Sequence, residues 1–223
     1  MALRVLTWNL YHGRARPPAG RSLLGVYAAA LAGWEWDVAL LQEVPPWWPP
    51  ALAAASRGEQ RTALSSRNAA LAARRTIAVR APDLVKSNGG GANAIISRTP
   101  ILAHARRRVC LWPERRVVHA VALADGTWVG NLHATVHDDA AARRDCARAA
   151  GALLRWAGRA PAALGGDLNV RDPAVPGLAA AGGHGVDHVF AHGLRASGPP
   201  EVLEHGPLSD HAPVLVSLDL NPG

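Results

Sequence analysis

Apolar and polar positions alternate across residues 3–9, with β-branched and aromatic side chains among them, and predict a strand. Ser22 suits the cap of a helix running to about Trp34, whose small apolar face is rich in alanine. Residues 38–42 form a short apolar run of the kind that fills a buried strand. The piece PPWWPP at 45–50 holds consecutive prolines, which cannot donate to a ladder, so it reads as loop or as the start of a helix. Residues 92–97 and 117–124 read as strands, the second turning at Asp125-Gly126 into 127–133 as a hairpin.

The clearest helix spans about 138–158. Cys146, Ala149, Ala150, Leu153 and Ala157 recur at helical spacing, while Arg144, Arg148 and Arg155 fall on the other side as a solvated face. Three short β-type runs follow, at 162–168, 186–192 and 214–220. Strands dominate, helices intervene and hairpins sit among them, so the pattern is mixed α/β rather than a strictly alternating parallel sheet. There is no repeat and no dividing linker. The 223 residues, 49% hydrophobic, suffice for one sizeable core, and a single domain over 1–223 is expected.

Composition narrows the setting. The first ten residues lack a basic stretch followed by an apolar one, and no run reaches the roughly 18 apolar residues of a membrane span. The expectation is a soluble, cytoplasmic protein in which Cys110 and Cys146, outside any CxxC spacing, are reduced and buried thiols. A formal net charge of +7 suits a polyanion such as nucleic acid or an acidic membrane surface. Lys86 is the only lysine, however, and the chain is saturated with Ala, Arg, Gly and Pro. Biased coding with a solvated basic face accounts for the charge equally well.

The polar residues fall on a common frame. Asn9 closes the first predicted strand, Glu43 the second and His133 another; Asp167 and Asn169 close a fourth. Asp187 and His188 begin or interrupt the fifth, and Asp210 and His211 precede the sixth. Each has a structural reading by itself, since a strand-end Asn or Asp is commonly a turn former or cap and a lone His a satisfied structural residue. Acids, amides and imidazoles recurring at six strand ends point instead to a shared site.

The segments TWN, LLQEV, AIISRTPI, GNLHAT, GGDLNV, GVDHVF and LSDHAPV stand in the order of the motifs of the endonuclease/exonuclease/phosphatase superfamily, which the chain resembles from about Leu3 to Leu220. TWN or QE alone is weak; GDLN with a terminal SDH in register is specific. The resemblance implies a four-layer α/β/β/α sandwich of two mixed, largely antiparallel sheets, with a site at one end performing metal-dependent phosphoester hydrolysis. Such hydrolysis needs phosphate charge neutralised, a water aligned or deprotonated and the leaving alkoxide stabilised. Hard oxygen ligands suit Mg²⁺, with Mn²⁺ as the alternative.

By this resemblance Glu43 is the principal metal ligand, Asn9 supports it directly or through water, and Asp210 approaches the same metal. Asp167 orients or activates the attacking water and Asn169 donates to the phosphate or the nucleophile. His211 contacts phosphate oxygens or acts as a general acid/base, with Asp187 holding its ring in one tautomer. His133 matches a histidine of the deoxyribonuclease-like members, a second acid/base group or phosphate binder, and its carboxylate partner is not evident in the sequence. His188 is expected to point away from Asp187 along its strand. Ser97 and Arg98 suit the floor of the site or packing and turn roles equally, and Asn93, open to the same two readings as a substrate contact or a packing residue, is not counted in the set.

Departures narrow the reading. The abasic-site endonucleases carry an acid two residues after the first Asn, where Tyr11 stands, and an aromatic- and Arg-rich segment where this chain has GLAAAGGHG. The longer segments of the inositol polyphosphate 5-phosphatases are missing as well. PPWWPP is the one candidate for a membrane-engaging hairpin, and its Trp47 and Trp48 read as packing aromatics. The expected activity is Mg²⁺-dependent hydrolysis of phosphodiesters in nucleic acid by a monomer, without stable membrane association or an obligate protein partner. The alternatives are a phosphatase or phosphodiesterase for a lipid headgroup or small metabolite, and a binding module of the same fold that has lost catalysis. Arg106, Arg107 and Arg108, with Arg115 and Arg116, make the densest basic cluster. In a strand Arg106 and Arg108 share one face and are expected to grip successive phosphates; a charged edge that discourages sheet pairing is an equal reading.

Overall fold

The alternation at the start of the chain resolves into two buried faces. In β1 (Leu3–Asn9), Val5 enters one core while Leu6 and Trp8 enter another, so every second side chain serves a different layer. The structure, a computed structural model, describes residues 2–65, 68–81, 83–84 and 91–221. Lys86 lies outside the described residues.

After β1 come α1 (Leu24–Gly33), β2 (Val38–Val44), α2 (Pro49–Ala55), β3 (Glu59–Leu64), α3 (Leu71–Arg80) and β4 (Ala92–Ser97). Next are β5 (Ile101–Cys110), β6 (Arg116–Leu123), β7 (Trp128–His133), α4 (Asp139–Ala157) and β8 (Ala162–Asp167). The chain ends through β9 (Ala179–His184), β10 (Asp187–His192), β11 (Leu194–Ala196), β12 (Glu201–Val202) and β13 (Val214–Leu220). One sheet runs β11-β13-β1-β2-β4-β3, with β12 also on β13, and the other runs β5-β6-β7-β8-β10-β9.

Three cores make four layers. α1 and α2 cover one sheet through Leu31 and Leu52 against Leu6, Trp8 and Ile96. Val5, Leu40 and Ile95 of that sheet meet Val121, Val129 and Val189 of the other. α4 covers the outer face of the second sheet with Cys146, Ala149 and Leu153 against Val118, Leu132 and Leu164. The expected α/β/β/α sandwich of mixed, largely antiparallel sheets is the architecture observed. Its β1–β2 and β7–β8 pairs are parallel and the other described pairs antiparallel.

Local differences have local causes. Ser22 is not the cap: α1 begins at Leu24, and the Ser22 hydroxyl lies 3.5 Å from the Leu24 amide, the limit of a hydrogen bond. Asp138 does cap α4, accepting from the Ala141 amide at 2.9 Å. PPWWPP leads into a helix, with Pro49 in the first turn of α2 where its missing N–H costs nothing, and the Trp48 ring packs tilted against Tyr27 with centroids 5.5 Å apart. Cys146 is buried as expected, whereas Cys110 is only half-buried; neither is in a disulfide. β3, α3 and β9 had no sequence reading.

Two features tie the sheets together beneath the site. Gln42 of β2 donates to the Asn131 side-chain oxygen of β7 at 2.8 Å, and the Asn131 amide nitrogen donates to the carbonyls of Leu41 and Ala94 at 3.0 and 2.9 Å. Both side chains are fully buried, so these bonds satisfy groups that water cannot reach. The register then sets the rim. The two parallel pairs bring the C-terminal ends of β1, β2, β7 and β8 to one end of the sandwich, while antiparallel β10 and β13 bring their N-terminal ends there.

Candidate active site

Asn9 ends β1, and its side-chain amide donates across the sheet-to-sheet gap to Asp167 Oδ2 at 2.9 Å. Asn9 is oriented from the other side, since its Oδ1 accepts the Tyr11 amide at 2.9 Å. Asp167 ends β8 directly opposite both His133 and Asp187 in register. It is almost wholly buried, and burial raises its pKa against the pull of His211 and Asn9. Its Oδ1 accepts the Asn169 amide at 3.0 Å, which folds the following turn back on the strand end.

Glu43 reaches the same space by a break in the ladder. The β2–β4 register shifts between Leu41 and Val44, and Glu43 has φ of 50°, a left-handed conformation that costs a non-glycine residue energy. The break turns Glu43 out of the sheet while Gln42 stays buried beneath it. Left-handed residues recur here, at Tyr11, His12, Asn169 and Ser209, as expected where surrounding structure holds strained backbone at a site. Burial, with Asp167 and Asp210 nearby, pushes Glu43 up to about 7.

His211 is set by the loop before β13. Ser209 donates its hydroxyl to the Asn9 carbonyl at 2.6 Å and accepts the His211 amide at 3.1 Å, and the Trp8 indole holds the His211 carbonyl at 2.9 Å. The ring's Nδ1 lies 2.7 Å from Asp187 Oδ2. Burial alone would lower its pKa, but the bond to Asp187 and the charges of Asp187, Asp167 and Asp210 outweigh burial and hold it up at about 9. His211 Nε2 is 3.8 Å from Asp167 Oδ2, and His133 Nε2 is 3.6 Å from the same oxygen. The carboxylate neighbour of His133 that sequence could not supply is thus Asp167.

A cleft of about 310 Å³ receives Asn9, Glu43, His133, Asp167, Asn169, Asp210 and His211, with Asp187 touching it through His211. Arg106 and Arg108 do not line it; they stand on β5, opposite His119 and Val117, and are exposed. His188 turns away as expected and meets the Val170 carbonyl at 3.0 Å. Arg98 packs on Trp36 and donates to the Trp34 and Trp36 carbonyls, and Ser97 donates to the Thr99 carbonyl, so both are structural. Asn93 is buried and donates to the Val117 carbonyl.

Other residues stand in or beside the cleft that the sequence did not mark as part of a site. His12 Nε2 meets Glu43 Oε2 at 3.0 Å, and Arg16 meets Asp210 Oδ2 at 2.6 Å while lying over the Tyr11 ring. Arg116 and Glu114, 2.9 Å apart, close another side.

The donor set fits a hard divalent cation. Burial first, and then the neighbouring carboxylates of Asp167 and Asp210, lift the Glu43 pKa, and a cation among these oxygens would offset both. Asp167, Asp187 and His211 also bring donor atoms within 4.8 Å of one another, but His211 Nδ1 already faces Asp187. Glu43 and Asp210 bring further carboxylate oxygens to the same cleft, where Glu43 Oε2 meets His12 and Asp210 Oδ2 meets Arg16.

A model of the endonuclease/exonuclease/phosphatase family matches residues 6–211. Comparison with curated proteins finds no match. Among solved structures, the endonuclease/exonuclease/phosphatase of Beutenbergia cavernae superposes with a TM-score of 0.71 at 20% identity, covering 98% of this chain and 72% of that one. A mannosyl-6-phosphatase of Bacteroides thetaiotaomicron gives 0.72 at 18% identity, covering 98% of this chain and 100% of that one. The human nocturnin catalytic domain gives 0.67 at 15% identity, covering 99% and 95%. At such identities the structural likeness is one of fold. With the family match running over nearly the whole chain, and the strand-end residues gathered in one cleft, the chain belongs to the endonuclease/exonuclease/phosphatase family of metal-dependent phosphoester hydrolases.

Proposed function

We propose that this chain is a cytoplasmic, monomeric hydrolase of phosphodiester bonds in nucleic acid, with Mg²⁺ as its working metal. The observation that carries the reading is the convergence of two imidazoles on one buried carboxylate: His133 and His211 present Nε2 at 3.6 and 3.8 Å from Asp167 Oδ2. Both rings line the cleft beside Asp167. A diester needs both a base for the water and an acid for the leaving alkoxide.

The roles follow from the contacts. Asp167, positioned by Asn9 and the Asn169 amide, orients the attacking water and draws on its proton. His211, kept protonated by Asp187, donates from Nε2 to a phosphate oxygen or the departing alkoxide. His133 faces the phosphate from the other side. Asn169 keeps one amide N–H on the Ala134 carbonyl at 3.1 Å and has its second for substrate. Mg²⁺ held by Glu43, Asn9 and Asp210 would neutralise phosphoryl charge and stabilise the leaving oxygen. The exposed arginines of β5 are the reason for choosing nucleic acid.

A second reading, hydrolysis of a small phosphoester, is favoured by the modest cleft volume and by Arg14 and Arg116 in its lining. Assay of DNA, RNA, phospholipid, sugar phosphates and bis-p-nitrophenyl phosphate separates the two, with Mg²⁺ or Mn²⁺, with and without chelator, beside an Asp167→Asn control. Metal-dependent nucleic acid cleavage absent from the control is the expected result. Turnover confined to small esters would establish the second reading, and no metal-dependent turnover at all would leave a binding module.

A further inference from the structure

We infer that Trp112 is a stacking platform for an unpaired base of a single-stranded nucleic acid whose backbone follows the arginines of β5. The inference rests on the reading of nucleic acid as substrate and adds the strandedness of that substrate. Trp112 is 84% exposed, and its neighbour Leu111 is 64% exposed. So large an apolar ring in water is characteristic of a contact surface rather than of a solvated loop. Among the described residues no aromatic ring or cation stacks on it.

The loop carrying it is held in place. The Cys110 thiol donates to the Trp112 carbonyl at 3.0 Å, Arg115 donates to the carbonyls of Leu64 and Ser65, and Arg116 pairs with Glu114 at 2.9 Å. A loop whose backbone is already held gives up less freedom on binding than a mobile one. Its place in the chain supplies the direction. Glu114, two residues on, lines the hydrolytic cleft, and two residues span at most roughly 7 Å. On the other side, exposed Arg106, Arg107 and Arg108 lead up to it, with Arg106 and Arg108 on one face.

An aromatic face therefore stands between a cationic strand and the cleft. That combination suits a strand whose bases are free, because arginines track phosphates while a ring accepts any base; in a duplex the bases are already stacked. A lipid surface fits less well, since two apolar side chains flanked by arginines bury little area in a bilayer.

Fluorescence anisotropy with a labelled single-stranded oligonucleotide in chelator, where nothing is cut, tests this. Trp112→Ala should weaken binding about tenfold, within the range set by one stacked base, and Trp112→Phe should restore most of it. An abasic oligomer of equal length should bind wild type and Trp112→Ala alike, and turnover of bis-p-nitrophenyl phosphate should be unchanged. Undiminished oligonucleotide binding by Trp112→Ala overturns the platform while leaving nucleic acid as substrate. Equal weakening on the abasic oligomer also overturns it. Vesicle binding through phosphatidylserine that is lost in Trp112→Ala, with oligonucleotide binding intact, assigns the ring to lipid. No binding of any nucleic acid by the wild type removes both this inference and the substrate reading on which it rests.

Discussion

Asp187 Oδ2 lies 2.7 Å from His211 Nδ1, joining the first residue of β10 to the loop that precedes β13. The contact leaves Nε2 as the only ring nitrogen able to face the cleft, and it keeps the ring charged at neutral pH. The pair is expected to act as one unit. In kcat/KM, Asp187→Ala with His211→Ala should be little worse than the poorer single variant, whereas additive losses would show two independent groups. Because the His211 pKa is raised to about 9, its proton is lost as pH climbs through that value. Asp187→Asn should move the alkaline limb of the pH profile to lower pH, and an unmoved limb would separate that limb from His211.

Glu43 bears on metal binding. Its pKa of about 7 means a proton competes with the metal below neutrality. Apparent Mg²⁺ affinity should rise by up to about tenfold per pH unit below 7 and level off above it, read from activation constants or calorimetry. Glu43→Gln should fold normally, lose most activity at limiting metal and recover part of it at high Mg²⁺ or Mn²⁺. Wild-type activity at limiting metal would remove Glu43 from the ligand set.

Arg106→Ala with Arg108→Ala should weaken DNA binding and flatten its salt dependence by roughly one unit of slope per lost phosphate contact. Hydrolysis of a small chromogenic diester should hardly change, since neither side chain lines the cleft. An unaltered slope would make the strand a charged sheet edge.

Gly166 precedes Asp167 at φ of 141°, and a β-carbon there would land on the Leu132 carbonyl across the parallel β7–β8 pair. Gly166→Ala should destabilise the fold by at least about 2 kcal/mol in denaturant unfolding and reduce activity by displacing Asp167. Unchanged stability and activity would mean the backbone accommodates the methyl group.

His119 is fully buried, and burial lowers its pKa to about 3. The folded protein therefore keeps it neutral while the unfolded chain takes up a proton below about 6.5. Its contribution should make stability fall as pH drops from 6.5 toward 3, at up to about 1.4 kcal/mol per unit. His119→Gln should flatten that part of the stability curve, and an unchanged curve would place the acid sensitivity elsewhere.

Local pattern was enough for β1, β2, β4, β6, β7, β8, β10, β13 and α4, because each carries an apolar run or periodicity of its own. It was not enough for β9, whose Ala179–His184 is small residues and glycine and owes its strand state to pairing with β10. The site divides the same way. Asn9, Glu43, Asp167 and His211 were legible as polar residues at strand boundaries, but His12 and Glu114 reach the cleft from connections whose sequence is unmarked, and Arg116, legible only as part of a basic cluster, reaches it from the start of β6.

The sequence by itself determined, for the strands with an apolar run of their own, which side chains would be buried and which polar residues would stand at the ends, since burial acts on neighbours along the chain. Only the tertiary structure decided that Asn9 would touch Asp167, 158 residues away, that Asp167 would lie beside His133, and that Glu43 would turn out of its strand. Those outcomes depend on sheet order, on register and on two sheets packed face to face. Such long-range choices are made by the whole core at once and are written in no single segment.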